Sequence, residues 1–254
     1  MISIKSKNEI KKIKAAGDVL ADVMEAIRKN IRPGISTYEL DQIARKVYKK
    51  AGAKATTLGY GNPPYPAATC LSVDEVVVHG IPSKDVILKE GQIISSDLVV
   101  GLNGWMADGC RTFPVGEISQ EKQDLITAAK DCFYAGLEQC KPGNHIRDIS
   151  AAVEEVAESR GYGIIREFTG HGIGTDMHED PSIPNYTQGL RRGPRLEKGM
   201  VICIEPMISL GSEDLYIDDD GWTAIMKDGK AAAHYENTVV ITDNEPIILT
   251  QMDY

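Results

Sequence analysis

The sequence predicts an α+β fold with two related halves, each made of two helices followed by β-strands. Residues 33–52 and 142–161 both run from a Pro-Gly pair through an amphipathic helix to a glycine, and their glycine landmarks are shifted by the same 109 residues. Helices followed by strands are typical of α+β folds. A duplicated half predicts a pseudo-twofold axis, with a site between the halves. The alternative is a chance coincidence of two turns and two ordinary helices.

Four amphipathic helices are predicted, one before and one after each Pro-Gly pair. Ser36 and Glu39 form a capping box at the start of the second helix, and Ser119 is a candidate N-cap for the third. The apolar positions at helical spacing are Ile10, Ile13, Leu20, Met24 and Ile27, then Leu40, Ile43, Val47 and Ala51, then Leu125, Ala129, Cys132 and Cys140, and finally Ile146, Ile149, Val153, Val156 and Ala157.

Runs of β-type residues follow each helix pair. They cover residues 73–78, 92–101 and 105–115, then 162–168, 200–204, 222–226 and 234–242. The length of 254 residues suits one large domain or two small ones. We expect a single catalytic domain over residues 1–254, with halves of about 1–118 and 119–254.

Composition excludes several classes of protein. A net charge of -9 argues against nucleic-acid binding as the main purpose, because phosphate contacts need clustered Lys and Arg. Five cysteines without a Cys-x-x-Cys pair fit reduced thiols better than disulfides. The N-terminus has no apolar stretch typical of a signal peptide, and no run of 18 apolar residues predicts a membrane span. We therefore expect a cytoplasmic protein.

A hairpin brings two carboxylates together. Asn103-Gly104 is a strong two-residue turn signal, and a turn there pairs residue 97 with residue 110. Asp108 lies two residues from position 110, so it shares a face with Asp97. The surrounding strands are apolar, and buried like charges are costly unless a cation holds them. A solvated face or a different register is the alternative.

Further candidate metal ligands lie in apolar strand contexts. Glu205 follows the run MVICI, Glu236 lies in AAAHYENTVVIT, Gly80 follows His79, and glycines stand on both sides of His171. A single His is more often a hydrogen-bonded structural residue than a ligand. Four carboxylates with one imidazole suit Mn, Fe(II) or Co better than a closed zinc site. Bridging carboxylates are typical of hydrolases with two metal ions.

The segments CLSVDEVVVHGIP, RTFPVG, FTGHGIG, MHEDP, CIEPM and HYENTVVIT, in this order and spacing, resemble the type I methionine aminopeptidases over nearly the whole chain. The resemblance implies the pita-bread fold, with a di-metal site between its halves. It also implies a metal-dependent aminopeptidase that hydrolyses the bond after the N-terminal methionine of nascent proteins when the second residue is small. The family's cofactor would be two divalent ions, Mn, Fe(II) or Co.

The resemblance also implies roles for individual residues. Asp97 would chelate one metal, Asp108 and Glu236 would bridge both, and His171 and Glu205 would complete the other shell. His79 would contact the scissile amide nitrogen, His178 the substrate carbonyl oxygen, and Glu205 would shuttle the proton. The methionine side chain would bind among Tyr60, Tyr65, Cys70, Met177 and Trp222.

Several residues depart from the usual pattern of the family. None is an implied ligand, so the departures bear on metal preference and pocket shape rather than on the reaction. They are Asp74, Ser95, Met106, Gly109, Met177 and Asn237, together with two extra residues around positions 62–64.

Other functions remain open from the sequence. A proline-specific aminopeptidase or dipeptidase of the same fold would usually have an extra N-terminal domain, and a non-catalytic peptide-binding module would lose ligands. The expected partners are nascent N-termini, without DNA or membrane, and the expected state is a monomer. A basic loop, with Arg191, Arg192, Arg195 and Lys198, either contacts the ribosome or is simply solvated.

Overall fold

The computed structural model describes residues 1–252 and contains the four predicted helices. They are α1 (Lys7–Arg28), α2 (Thr37–Ala51), α3 (Gln120–Glu138) and α4 (Ile146–Ser159). The Ser36–Glu39 capping box and the Ser119 N-cap are both confirmed, and Ser6 with Glu9 forms a further capping box at the start of α1. Two helix pairs therefore precede two sets of strands, as the repeat predicts.

The buried face of α2 agrees in part with the predicted one. Leu40 is buried and Ile43 and Val47 pack against the core, but Ala51 is exposed, and Ala44 and Tyr48 complete the buried stripe. Asp41 is also buried on this helix, and its carboxylate accepts hydrogen bonds from the backbone of Ala68 and the hydroxyl of Thr69. These bonds satisfy a polar group that would otherwise be costly to bury.

Fifteen strands occur in the described residues 1–252. The first five are β1 (Lys54–Ala55), β2 (Cys70–Val73), β3 (Val76–Val78), β4 (Ile93–Leu102) and β5 (Trp105–Pro114). After the second helix pair come β6 (Gly163–Ile164), β7 (Gly170–Gly172), β8 (Glu179–Ile183), β9 (Val201–Ile204), β10 (Met207–Ser209), β11 (Leu215–Ile217), β12 (Ala224–Met226), β13 (Ala232–His234), β14 (Asn237–Val240) and β15 (Ile247–Ile248).

Four sheets assemble from these strands, all by antiparallel pairing. In the first sheet β4 pairs with β1, β2 and β5, and in the largest the order is β15-β14-β9-β7-β8. The smaller sheets have the orders β13-β10-β6 and β11-β12-β3. Because β3 pairs with β12, one sheet contains strands from both halves of the chain.

Four of the predicted strand runs are shorter or broken, and run 222–226 forms only the three residues of β12. Asp74, with φ 48°, separates β2 from β3, and its carboxylate accepts hydrogen bonds from the Ile93 amide and the Lys122 ammonium. Run 234–242 breaks at Tyr235 and Glu236, and run 162–168 forms only β6. The sequence patterns also miss β1, β7, β10, β11 and β15, whose two or three residues are too few for alternation to reveal. They also miss the five-residue β8 and most of β2.

Two large apolar cores lie beneath the helix pairs. The first packs α1 and α2 against β4 and β5, and the second packs α3 and α4 against β9, β10 and β14. Gly17 lets α1 lie directly on the backbone of Leu249, where an added Cβ would be 2.2 Å from the carbonyl oxygen. None of the helices in residues 1–252 is long and apolar enough to cross a membrane.

Candidate active site

The β4–β5 hairpin has the predicted register. Leu102 pairs with Trp105, and Asp97 pairs with Cys110. Asn103 and Gly104 have φ values of 51° and 80°, as a two-residue hairpin turn of the favoured twist requires. The prediction that Asp97 and residue 110 are opposite each other is therefore confirmed, and Asp108 shares their face.

Neighbouring strands bring the other candidate ligands to this hairpin. Asn237 pairs with Ile204 between β14 and β9, so Glu236 and Glu205 follow as opposite residues just beyond that ladder. Glu236 also exchanges two backbone hydrogen bonds with Cys110 of β5. His171 lies in β7, which pairs with β9 through Gly172. Three separate strand pairings thus converge on one point.

The donor atoms of these residues are close together. His171 Nε2 is 3.5 Å from Glu205 Oε1 and 3.7 Å from Asp108 Oδ2. Donor atoms of Asp108, His171, Glu236 and Cys203 all lie within 4.8 Å of one another. Cys203 is an addition that the sequence reasoning missed, although its alternation with Glu205 in MVICIEPM was a usable signal.

Burial and mutual repulsion disfavour the charged forms of the carboxyl groups. Burial raises the pKa of Asp97 to about 7. The pKa values of Asp108, Glu205 and Glu236 are raised well above their ordinary values, first by burial and then by the neighbouring carboxylates. Burial and the nearby His178 lower the pKa of His171 to about 4, so its imidazole is neutral and able to ligate.

The residues present fit divalent metal ions. Asp108 Oδ1 and Glu236 Oε1 are buried, and neither has a hydrogen-bond partner within the described part of the chain. A buried carboxylate oxygen without a partner is costly unless a cation satisfies it. Oxygen donors with one imidazole are also the ligand set that hard and intermediate divalent ions prefer.

A cavity of about 230 Å³ opens above this cluster, and all twelve candidate site residues line it. They are Asp97, Asp108, His171, Glu205, Glu236, His79, His178, Tyr60, Tyr65, Cys70, Met177 and Trp222. Thr57, Val78, Val99, Phe168 and Thr169 also line it, and they were not predicted. Phe168 and Thr169 stand in the FTGHGIG motif and could have been found there, whereas no pattern marks the other three.

His178 and His79 stand on the walls of the cavity. The hydroxyl of Tyr60 is 2.7 Å from His178 Nδ1, and the rings of His178 and His171 are 4.4 Å apart. His79 has φ 60° and packs edge-to-face between Phe168 and Trp222. Burial lowers the pKa of His79 to about 4. Both histidines line the cavity, and neither forms an ion pair with a carboxylate within residues 1–252.

Aromatic rings and thioether or thiol groups form the apolar end of the cavity. The rings of Tyr65 and Trp222 meet edge-to-face at 5.3 Å, and Met177 is 7 % exposed. The Tyr65 hydroxyl donates to the carbonyl groups of Thr69 and Gly80, so it turns away from the apolar space. Trp222 Nε1 donates to the carbonyl of Pro63, which ties the two extra residues around positions 62–64 to the pocket.

The departures from the family pattern have local partners. The Ser95 hydroxyl is 2.8 Å from that of Thr112, and Asp74 forms an ion pair with Lys122. Asn237 accepts a hydrogen bond from Arg111, whose guanidinium also donates to the backbone carbonyl of Glu236. These residues therefore help to hold the strands under the cluster, and none of them belongs to the donor set.

Comparison with known proteins places the chain among metallopeptidases. Residues 11–243 match the sequence profile of Metallopeptidase family M24. The methionine aminopeptidase of Clostridium acetobutylicum is 46 % identical over 250 residues, which cover 98 % of this chain and 99 % of that protein. The crystal structure of the methionine aminopeptidase from Thermotoga maritima matches with a TM-score of 0.94 at 39 % identity, covering 99 % of this chain and all of that chain. The prolidase from Pyrococcus furiosus matches with a TM-score of 0.80 at 25 % identity, and the match covers 99 % of this chain but only 66 % of the prolidase chain.

Proposed function

The chain belongs to metallopeptidase family M24, among its methionine aminopeptidases with the pita-bread fold, and we propose that it removes the first methionine of polypeptides whose second residue is small. One observation carries the proposal. Three buried carboxylates, the partly buried Asp97 and one neutral imidazole line a cavity whose other end is aromatic and apolar. The first part suits metal-dependent hydrolysis, and the second suits a thioether side chain.

We further propose that the cluster holds two divalent ions. Asp97 would serve one ion, His171 and Glu205 the other, and Asp108 and Glu236 would bridge both, in keeping with their unpartnered oxygens. Bound ions would lower the pKa of a water molecule and polarise the scissile carbonyl. The oxygen-rich donors favour Mn, Fe(II) or Co.

The residues around the cluster supply the remaining chemistry. If the Tyr60 hydroxyl donates to His178 Nδ1, the neutral ring carries its proton on Nε2, and that N–H can donate to the substrate carbonyl oxygen as charge develops there. Glu205 takes a proton from the attacking water and returns it to the leaving nitrogen. His79 also lines the cavity and is proposed to contact that same nitrogen.

The apolar end of the cavity is proposed as the methionine pocket. Tyr65, Trp222, Met177 and Cys70 line it, and sulfur–aromatic contacts favour a thioether there. Charged side chains would lose their hydration in this space without gaining a partner. The second residue passes close to His79 and the carboxylates, which supports a preference for small side chains.

A panel of tripeptides tests the proposal. Met-Ala-Ser should be cleaved strongly over Lys-Ala-Ser and Ala-Pro-Ala. A chelator should abolish cleavage, and Mn, Fe(II) or Co should restore it. Equal cleavage of the first two peptides, or a preference for proline second without methionine first, would favour the proline-specific alternative. Full activity in protein that elemental analysis shows to be metal-free would reject the metal dependence. If none of the metals supports cleavage, a peptide-binding module would be favoured.

The setting of the reaction is also proposed. We infer a monomer with one catalytic domain that acts on nascent chains in the cytoplasm, and the five buried free cysteines fit a reducing compartment. Arg191, Arg192 and Arg195 are exposed in the loop before β9, and Lys198 pairs with Asp243. We propose that this basic loop contacts ribosomal RNA. Ribosome co-sedimentation that is unchanged after reversal of all four charges would remove this contact.

A further inference from the structure

His234 is a buried histidine beside the carboxylate cluster, and no step of the proposed reaction uses it. Its side chain is only 2 % exposed, and neither ring nitrogen has a hydrogen-bond partner among residues 1–252. A buried imidazole without partners is costly, since both nitrogens lose their hydration. A residue kept in this state at an active site calls for an explanation.

The backbone of His234 is held on both sides. It pairs with Met207 in β10, and its amide donates to the hydroxyl oxygen of Thr112, which in turn donates to the His234 carbonyl. Thr112 is itself hydrogen-bonded to Ser95 of β4. The imidazole is therefore anchored at its base to the same hairpin that carries Asp97, and it has little freedom to turn away.

The ring faces one member of the cluster. His234 Nε2 is 3.9 Å from Glu236 Oε2, slightly beyond hydrogen-bond distance, and the other oxygen of Glu236 has no partner within residues 1–252. Among the described residues, Glu236 is the only carboxylate with an oxygen within 4.0 Å of a His234 ring nitrogen, so it is the carboxylate to which the ring can donate.

We propose that His234 is a positioning residue whose Nε2–H donates a hydrogen bond to the Glu236 carboxylate and orients it for the metal ions. A neutral imidazole has one N–H, and a small rotation of the glutamate side chain closes the gap of 3.9 Å. Groups that hydrogen-bond a ligating residue commonly change metal affinity by about 10- to 100-fold. The inference rests on the proposed ligand role of Glu236.

Metal binding tests this role without relying on activity. His234→Leu and His234→Ala remove the donor, His234→Gln keeps an N–H at similar reach, and His145→Gln makes the same chemical change outside the cavity. Affinity for Mn(II) and Co(II) is measured by calorimetry, the visible spectrum of bound Co(II) reports ligand geometry, and urea unfolding reports the stability of the metal-free protein. The two donor-free variants should bind about 10- to 100-fold more weakly and shift the Co(II) spectrum. The glutamine variant and the control should stay within about 3-fold of wild type.

Two results would overturn the inference. One is wild-type metal affinity in both donor-free variants. The other is equal weakening in His234→Gln and His234→Leu together with loss of metal-free stability, which would assign a packing role to the ring. A wild-type protein that binds no divalent ion would instead reject the proposed function, and the inference with it. A failure confined to the His234 variants leaves the proposed function standing.

Discussion

Replacing Asp97 by asparagine should stabilise the metal-free protein at neutral pH while removing a metal ligand. In the folded protein burial raises the pKa of this carboxyl to about 7, whereas a carboxyl in the unfolded chain ionises near 3.9. Between these values the folded state holds one proton more than the unfolded state. The free energy of unfolding of the metal-free protein therefore falls as the pH rises from about 4 to 7.

The size of the effect follows from the pKa. A difference of about 3 pH units corresponds to about 4 kcal/mol of stability lost above pH 7. The Asp97→Asn variant avoids this loss, but its amide has a burial cost of its own of about 1–3 kcal/mol. At pH 8 and without metal, the variant should therefore be more stable than wild type by about 1–3 kcal/mol. Near pH 4 it should be less stable than wild type by about 1–3 kcal/mol, because only the burial cost of the amide remains.

Urea unfolding at pH 5 and pH 8, with a chelator present, measures this difference. Asp22→Asn is the matched control, because Asp22 is an exposed residue of α1 and should change stability by less than about 0.5 kcal/mol. Added Mn(II) should raise the melting temperature of wild type and of the control more than that of Asp97→Asn. Two results would contradict this reasoning: wild type as stable at pH 8 as at pH 5, or wild type more stable than the Asp97 variant at pH 8. Either would show that ionisation of Asp97 does not destabilise the metal-free protein.

Three further predictions concern reaction, specificity and packing. His178→Ala should lower kcat by about 100-fold with near-normal metal content, because it removes a donor to the developing oxyanion, and loss of metal would make His178 a ligand instead. Met177→Phe should raise the ratio of kcat/KM for methionine over leucine as first residue, because a rigid ring replaces a flexible chain in the pocket wall, and a broader preference would contradict this. Gly17→Ala should lower the free energy of unfolding by about 1–3 kcal/mol, because its Cβ would meet the Leu249 carbonyl at 2.2 Å, and unchanged urea unfolding would contradict that close approach.

Features set by neighbouring residues were predicted well. The Asn103-Gly104 turn fixed the register of β4 against β5, because a one-residue slip would invert every side chain of the hairpin. The serine N-caps were likewise confirmed, since a cap depends on the three residues that follow it. The buried face of α2 was predicted in part, since Ala51 is exposed and Asp41 is buried. Hydrophobic spacing cannot reveal that Asp41 has hydrogen-bond partners 27 and 28 residues further along the chain.

The residues of the candidate site were predicted only in part. Motifs identified the residue types, and all twelve candidates line one cavity, but their individual roles remain proposals. Cys203 and His234 were not assigned to the site, although each stands two residues before a glutamate of the cluster. A period-two pattern says which residues share a face, but it cannot say what that face meets.

By itself the sequence determined the helix–helix–strand order, the hairpin that pairs Asp97 with position 110, and a set of carboxylates in apolar surroundings that a cation would stabilise. Tertiary structure decided which of these groups meet. The 3.5 Å between His171 and Glu205 depends on strands that are neighbours in space but 34 residues apart in sequence. It also decided that His234 faces Glu236 and that Arg111 holds the backbone beside it. Such contacts arise from the pairing of distant strands, and no local spacing encodes them.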